Sequence, residues 1–292
     1  MTSFDQQIAR ASVLLEALPY MQRFRGQTFV IKYGGSAMDE PELVERVLRD
    51  VVFLEVVGAN PVIIHGGGKA ITRRMAERGI QATFIAGLRV TCRDSVAIVD
   101  EVLNTEVSPS IVDAINRLGG QAVQVPGNRT FRAVKAPPVL HEGRPVDLGF
   151  VGVVESCDTS EVRRALAAEM VPVLSPVGVD ASGQVYNINA DVAAADLAVD
   201  LRADKLIYLS DVNGVLRDPA DPSTRIPTVT RADAARLKAE GIVRGGMIPK
   251  IDSCLDSLAR GVKKVHLIDG RIPHALLLEL FTDRGIGTEI VE

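Results

Sequence analysis

The sequence predicts an α/β protein in which a mostly parallel central sheet lies between two layers of helices, a three-layer αβα sandwich in two lobes. Three observations point there. Short apolar, β-branched runs alternate with helical patterns along the chain. Two of those runs end in glycine clusters, Gly34-Gly35 and Gly66-Gly67-Gly68. The alternation then resumes in the second half, after a hairpin signal at Asp180-Ala181-Ser182-Gly183. Parallel strands need crossover connections, and helices of this spacing supply them.

The first strand is expected over 28–32 (TFVIK), ending where glycines permit a turn or a close approach to a ligand. A helix follows, with Asp39 a candidate cap, Pro41 suited to the first turn, and Leu43, Val47, Val51 and Leu54 down one face. The next strand, 61–64, runs into His65 and three glycines, then a helix over 69–78. The apolar spacing of Val99, Val102, Leu103, Val107, Ile111 and Ile115 predicts one long helix over 94–118. From 121 to 154 the pattern shifts to short strands with Pro and Gly turns, read as hairpins projecting from the sheet. A helix over 159–168 and a strand over 171–175 precede the Asp180 hairpin. Beyond it are expected an alanine-rich helix opened by Asn187-Ile188-Asn189-Ala190-Asp191, strands over 205–209 and 264–268, and helices over 231–240, 247–260 and 274–281. The Asp180 hairpin marks a lobe boundary, which divides the chain after residues 1–26 into two lobes, 27–180 and 181–292.

A chain of 292 residues with 47% hydrophobic content can bury a large core. Its net charge of −4 gives no global attraction to nucleic acid or to an anionic membrane, so neither is expected as a partner. Any anionic ligand must then be held by a local cluster. Three scattered cysteines without metal spacing suit a reducing cytoplasm, and charges interrupt every apolar run well short of the ~20 residues of a membrane span. The expected location is cytoplasmic.

Lys32 with Gly34 and Gly35 puts a cation beside bare-backbone amides, which suits a transferring phosphate; alone, K-x-G-G equally suits a surface lysine before an ordinary turn. Gly66-Gly67-Gly68 at the end of a buried strand leaves amides free to meet an anion at a helix start. A Walker loop fails because Ile63 stands where its first glycine belongs and Ala70 where Ser or Thr should follow Lys69; a G-x-G-x-x-G fingerprint fails at Ile71. Arg89 lies in an apolar stretch and needs an anionic partner, either a structural carboxylate or a ligand. Of Asn187, Asn189 and Asp191, one caps the helix that begins there and the others remain for a ligand. Lys250 near the first turn of a helix is disfavoured by the helix dipole unless an anion lies close by. Ser210 to Gly214 closes a strand at the carboxyl end of the sheet, where open α/β sheets bind ligands.

Taken together, K-Y-G-G at Lys32, H-G-G-G at His65, G-L-R-V-T at Gly87, N-I-N-A-D at Asn187, L-S-D-V-N-G-V at Leu209 and G-G-M-I-P-K at Gly245 resemble the amino-acid kinase family, from about 14 to 291. The match is to members that phosphorylate N-acetyl-L-glutamate with ATP. The resemblance implies that Lys32 and Lys250 stabilise the transferring phosphoryl and that Asp191 holds both lysines. It implies that Gly67, Gly68, Arg89 and Asn187 bind the acceptor, in the lobe over 27–180. ATP would lie on the lobe over 181–292, against Asp211, Val212, Asn213, Gly214, Val215, Leu216, Ile242, Val243 and Arg244. Mg²⁺ would be held mainly by the nucleotide phosphates, with no protein metal cage. The segment over 1–26 resembles the extra helix of hexameric, arginine-inhibited members, so the resemblance implies a homo-oligomer, a hexamer or a dimer. Arginine would be a feedback inhibitor bound by Tyr20, Lys205, His266 and Glu279. Two features depart from the family pattern: Lys69, where a small residue or proline is expected, and 121–130, which lacks the usual glycines and lysines. The alternatives are a kinase of the same fold for glutamate, aspartate or a carrier-bound aminoadipate, and a non-catalytic arginine-binding regulator.

Overall fold

The computed structural model describes residues 3–38 and 40–292. The candidate cap Asp39 lies outside them. Helix α1 (Ser3–Phe24) leads into strand β1 (Thr28–Tyr33), helix α2 (Pro41–Val56), strand β2 (Asn60–His65) and helix α3 (Gly68–Glu77). Pro41 sits in the first turn of α2, where its missing N–H costs nothing.

One eight-stranded sheet runs through the molecule in the order Thr228–Thr230, Thr288–Val291, Lys264–Asp269, Lys205–Ser210, β1, β2, Val171–Leu174, Ala122–Val125. Its pairings are parallel apart from Lys264–Asp269 against Thr288–Val291. Strand β1 is central, with Lys32 level with Ile64 on one side and Tyr208 on the other. Side chains alternate across it, as the strand period requires. Val30, with Val62, Ile64 and Leu206, faces the core beneath helices Ala190–Leu201 and Met247–Ala259. Phe29, Ile31 and Tyr33 face the opposite core, with α2 and Ala275–Leu280. Two buried layers on a shared sheet make the αβα sandwich that the alternation predicts.

Two expectations need revision. The strands between 121 and 154 do not all project as hairpins. Ala122–Val125 joins the main sheet, while Phe131–Lys135 and Val151–Cys157 close a small barrel with Val177–Val179 and Val185–Ile188. Only Val139–His141 and Arg144–Val146 form an isolated hairpin. The long helix over 94–118 is also interrupted: α4 (Arg93–Val102) gives way to a π-helical turn, Leu103–Val107, before α5 (Ser108–Arg117). Pro109 supplies the reason, because its ring excludes the carbonyl four residues back and it has no N–H to bond. Widening the preceding turn accommodates both.

Candidate active site

The glycine turns that follow β1 and β2 sit side by side at the carboxyl end of the sheet. Gly66 N–H donates to Tyr33 O at 2.8 Å, tying one turn to the other. A Cβ added at Gly66 would lie 3.6 Å from Gly34 Cα, so the two turns sit in van der Waals reach of each other. Gly35 takes a φ of 69° and a Cβ on it would meet Asp211 Oδ1 at 3.0 Å. These turns, with Asp211, Lys69, Arg73 and Phe84, line a cleft of about 1040 Å³.

Lys32 reaches this region from the penultimate position of β1. Its Nζ lies 3.0 Å from Asp191 Oδ1, with side-chain exposures of 14% and 38%. The contact is an ion pair off the hydrogen-bonding direction, since Oδ1 is buried and has no hydrogen-bond partner among the described residues. Asp191 is held by the helix Ala190–Leu201, which Asn189 caps by accepting from Asp191 N at 2.8 Å and Val192 N at 3.4 Å. Asn189 is therefore the capping member of its cluster. The small buried side chains Ala193, Ala194 and Ala198 let this helix settle closely on the sheet and bring its first turn to Lys32.

Lys250, the fourth residue of helix Met247–Ala259, lies 5.8 Å from the centre of the Tyr208 ring. The Tyr208 hydroxyl donates to the Asp191 backbone carbonyl at 3.3 Å. Asp191 thus pairs directly with Lys32, and among the described residues the Tyr208 ring joins it to Lys250.

Arg89 is 7% exposed, and among the described residues no carboxylate pairs with it. It donates to Gly68 O and Thr72 Oγ1, both at 2.9 Å, and its guanidinium lies 4.7 Å over the Phe84 ring. Burial lowers its pKa from the ordinary arginine value. A buried cation held by neutral groups is the arrangement that an anionic ligand completes. Asn187 donates to Thr91 Oγ1 at 3.2 Å, and Thr91 donates to Arg89 O, so Asn187 and Arg89 stand on one polar strip.

Of the residues that the resemblance assigns to ATP, 211–216 follow strand Lys205–Ser210 and 242–244 follow helix Arg231–Ala239. Gly214 takes a φ of 69° against Thr288, and Val215 N–H donates to Thr288 Oγ1 at 2.8 Å. Val215 and Val243 are buried in the core, so only their backbone can meet a nucleotide. Asp211, Val212 and Arg244 are exposed, and Asn213, Leu216 and Ile242 are half-buried. Among the described residues no three His, Cys, Asp or Glu side chains gather to hold a metal ion.

Tyr20, Lys205, His266 and Glu279 line a separate cavity of about 490 Å³. Lys205 begins the strand that ends beside Asp211, so this cavity lies about 20 Å from the cleft along the sheet. Lys205 Nζ is 3.0 Å from His266 Nε2, and His266 Nδ1 is 2.7 Å from Glu279 Oε1. Burial pushes Lys205 down to about 8. Burial would raise Glu279, but the His266 contact and the amides of Ile286 and Gly287 outweigh it and hold its carboxyl below the usual range. Reading the sequence residue by residue misses Ser108, Thr72, Thr91 and Glu106, each of which has a partner distant in the chain. The one available signal was Pro109 inside a helical pattern.

A fold with paired glycine turns and a half-buried lysine–aspartate pair at the carboxyl ends of parallel strands defines a phosphotransferase that lacks a Walker loop. The family model described as "Amino acid kinase family" matches residues 27–269. An acetylglutamate kinase from Akkermansia muciniphila is 50% identical over 285 residues, covering 97% of this chain and 96% of the relative. The chain belongs to the amino acid kinase family and, within it, to the acetylglutamate kinases. The N-acetylglutamate synthase of Neisseria gonorrhoeae, solved with coenzyme A and N-acetylglutamate, superposes with a TM-score of 0.82 at 28% identity. The match covers 97% of this chain but 63% of that one. The same synthase with coenzyme A and L-arginine gives 0.77 at 25% identity, covering 96% and 65%. This chain therefore spans less than two thirds of the synthase.

Proposed function

We propose that this chain transfers the γ-phosphoryl group of ATP to the side-chain carboxylate of N-acetyl-L-glutamate, yielding N-acetylglutamyl phosphate and ADP for arginine biosynthesis. A carboxylate oxygen attacks the γ-phosphorus while the bond to the β-phosphate oxygen breaks, and its electron pair leaves with ADP. The acceptor is already an anion near neutral pH, so no general base is needed and catalysis reduces to alignment and charge neutralisation. The carrying observation is Lys32, held by Asp191, beside the joined glycine turns. In this reading Lys32 and the amides of Gly34, Gly35, Gly67 and Gly68 meet the phosphoryl and acceptor oxygens. Lys250 approaches from the nucleotide side. Arg89 and Asn187 take the acceptor, because Arg89 is a buried cation that no carboxylate among the described residues pairs with. Its neighbourhood selects an N-acylated amino acid. ATP lies over Asp211 to Leu216 and Ile242 to Arg244, on the lobe over 181–292, and the acceptor on the lobe over 27–180. Mg²⁺ fits this donor set, since a triphosphate-borne ion needs only one or two carboxylates and Asp211 faces the Gly35 turn. When bound it would neutralise the phosphate oxygens.

The second cavity suits arginine as a feedback inhibitor. Asp204, Asp283 and Glu289 offer negative charge, and Lys205, Arg23 and Lys264 positive charge, as a zwitterion with a cationic side chain requires. Helix α1 supports a homo-oligomer, hexameric or dimeric. Its far end is anchored by Phe24 against Phe29 and Phe281, while Phe4, Ile8, Leu14 and Leu15 remain more than 60% exposed. A cytoplasmic location belongs to the same proposal and suits the free thiols Cys92, Cys157 and Cys254.

Coupled ADP release across N-acetylglutamate, glutamate and aspartate, with and without arginine, tests the reading. Turnover should be fastest by far on N-acetylglutamate and fall on adding arginine. Preference for a free amino acid would assign a different acceptor, and no ATP turnover would leave an arginine-binding regulator.

A further inference from the structure

Within the motif His-Gly-Gly-Gly, the histidine has no place in the mechanism above, yet its polar ring is enclosed near the cleft. His65 ends β2 and is fully buried. Its Nδ1 lies 2.7 Å from Gly66 O and its Nε2 lies 2.6 Å from Ser108 Oγ. A carbonyl oxygen can only accept, so Nδ1 carries the proton and donates to Gly66 O. Nε2 is then the acceptor, and the Ser108 hydroxyl donates to it. Burial pushes the ring down to about 4, so it is neutral at physiological pH and this tautomer holds.

The consequence follows from the peptide group itself. The Gly66–Gly67 peptide is trans, and in a planar trans peptide the C=O of one residue and the N–H of the next point in opposite directions. A Gly66 carbonyl turned inward to the buried imidazole forces the Gly67 N–H outward, to the side where the glycines line the cleft. No acceptor among the described residues is hydrogen-bonded to that N–H. Without the lock, a glycine pair could rotate this peptide at little steric cost. The other side of the turn is fixed as well. A Cβ on Gly67 would lie 2.3 Å from Leu103 Cδ2, and Ser108 directly follows the π-helical turn that begins at Leu103. Glu106 of that turn pairs with Arg73 and Arg74 of α3, at 2.9 Å for Arg73.

We propose that His65 and Ser108 are positioning residues that lock the Gly66–Gly67 peptide, so that the Gly67 N–H is aimed at the oxygen that becomes negative in phosphoryl transfer. The π-helical turn is the element that brings Ser108 to the ring. The assignment rests on the phosphoryl-transfer reading given above.

Two substitutions separate the lock from mere packing. His65→Asn keeps a donor where Nδ1 stands, whereas His65→Gln places its amide where Nε2 stands and loses the bond to Gly66 O. The glutamine variant should lose on the order of 100-fold in kcat, as for a lost oxyanion donor, with KM for ATP little changed. The asparagine variant should recover to within about threefold of wild type. Equal loss in both, or none in either, would overturn the lock. A wild-type chain without ATP-dependent phosphorylation of N-acetylglutamate would instead overturn the functional reading. If neither variant folds, the wild-type ring decides. Two-bond ¹H–¹⁵N correlation spectra, assigned with His141→Gln, His266→Gln and His274→Gln, should give a neutral Nδ1–H ring for His65 at about pH 6. An Nε2–H tautomer or an imidazolium would refute the proposal.

Discussion

Replacing Lys32 by alanine tests the centre of the mechanism. Its ammonium is 14% exposed and lies against a partner only 3.0 Å away, so its charge is fixed in place before substrate arrives. At an effective dielectric near 20, a unit charge about 4 Å from a phosphoryl oxygen contributes about 4 kcal/mol. Part of this acts on bound ATP already, which leaves about 3 kcal/mol for the transition state, comparable to a lost oxyanion-hole donor. At about 1.4 kcal/mol per decade, kcat should fall about 100-fold or more. The fold should hardly notice. The Asp191 side chain is 38% exposed, so water can solvate the carboxylate that loses its partner, and exposed pairs are worth at most about 1 kcal/mol. Lys32→Arg should not restore activity, because a planar guanidinium fork does not put its charge where the compact ammonium sits. The assay is ADP release with saturating N-acetylglutamate and ATP, beside a thermal unfolding curve. A Lys32→Ala chain that turns over within about fivefold of wild type, with an unchanged Tm, would refute the reasoning.

Arg89→Lys keeps the charge but not the fork that bonds Gly68 and Thr72, so KM for N-acetylglutamate should rise about tenfold or more while kcat changes less; steady-state kinetics decide. Gly127→Ala would drive a Cβ to 2.1 Å from Ser175 O and 2.6 Å from Val177 O. Val177 O belongs to the strand Val177–Val179 and Ser175 O to the buried link that precedes it, so about 3 kcal/mol or more of stability should be lost in urea titration. Gly79→Ala, with open space but a φ of 71°, should cost only about 1–2 kcal/mol. Lys205→Met should raise Tm at pH 7, because burial depresses the lysine to about 8 from 10.5 and the unfolded chain binds the extra proton between those values. Wild-type stability therefore rises with pH across that window, and the variant's advantage should shrink as pH approaches 10.5. Removing residues 1–25 should change the sedimenting species and the arginine response together; neither changing would sink the proposed role of α1.

Much of this was legible because the determinants are local. Strand and helix periods alternate in the sequence, and glycines follow the strands Thr28–Tyr33 and Asn60–His65, so the αβα layers and the two glycine turns could be read from neighbouring residues alone. The chemical types at Lys32, Arg89 and Asp191 were equally plain. Their partners were not. That Asp191 meets Lys32 depends on the first turn of Ala190–Leu201 lying over the end of β1, and that in turn depends on sheet order, which crossover connections set and no local pattern encodes. The same holds for Tyr20, Lys205, His266 and Glu279, brought to one cavity by the helix α1, two adjacent strands and a late helix. The sequence by itself determined which elements form and which charges they carry. Only the tertiary structure decided which charges meet, that Pro109 widens a helix into a π turn, and that the turn delivers Ser108 to His65, because each of those contacts joins residues that chain order keeps apart.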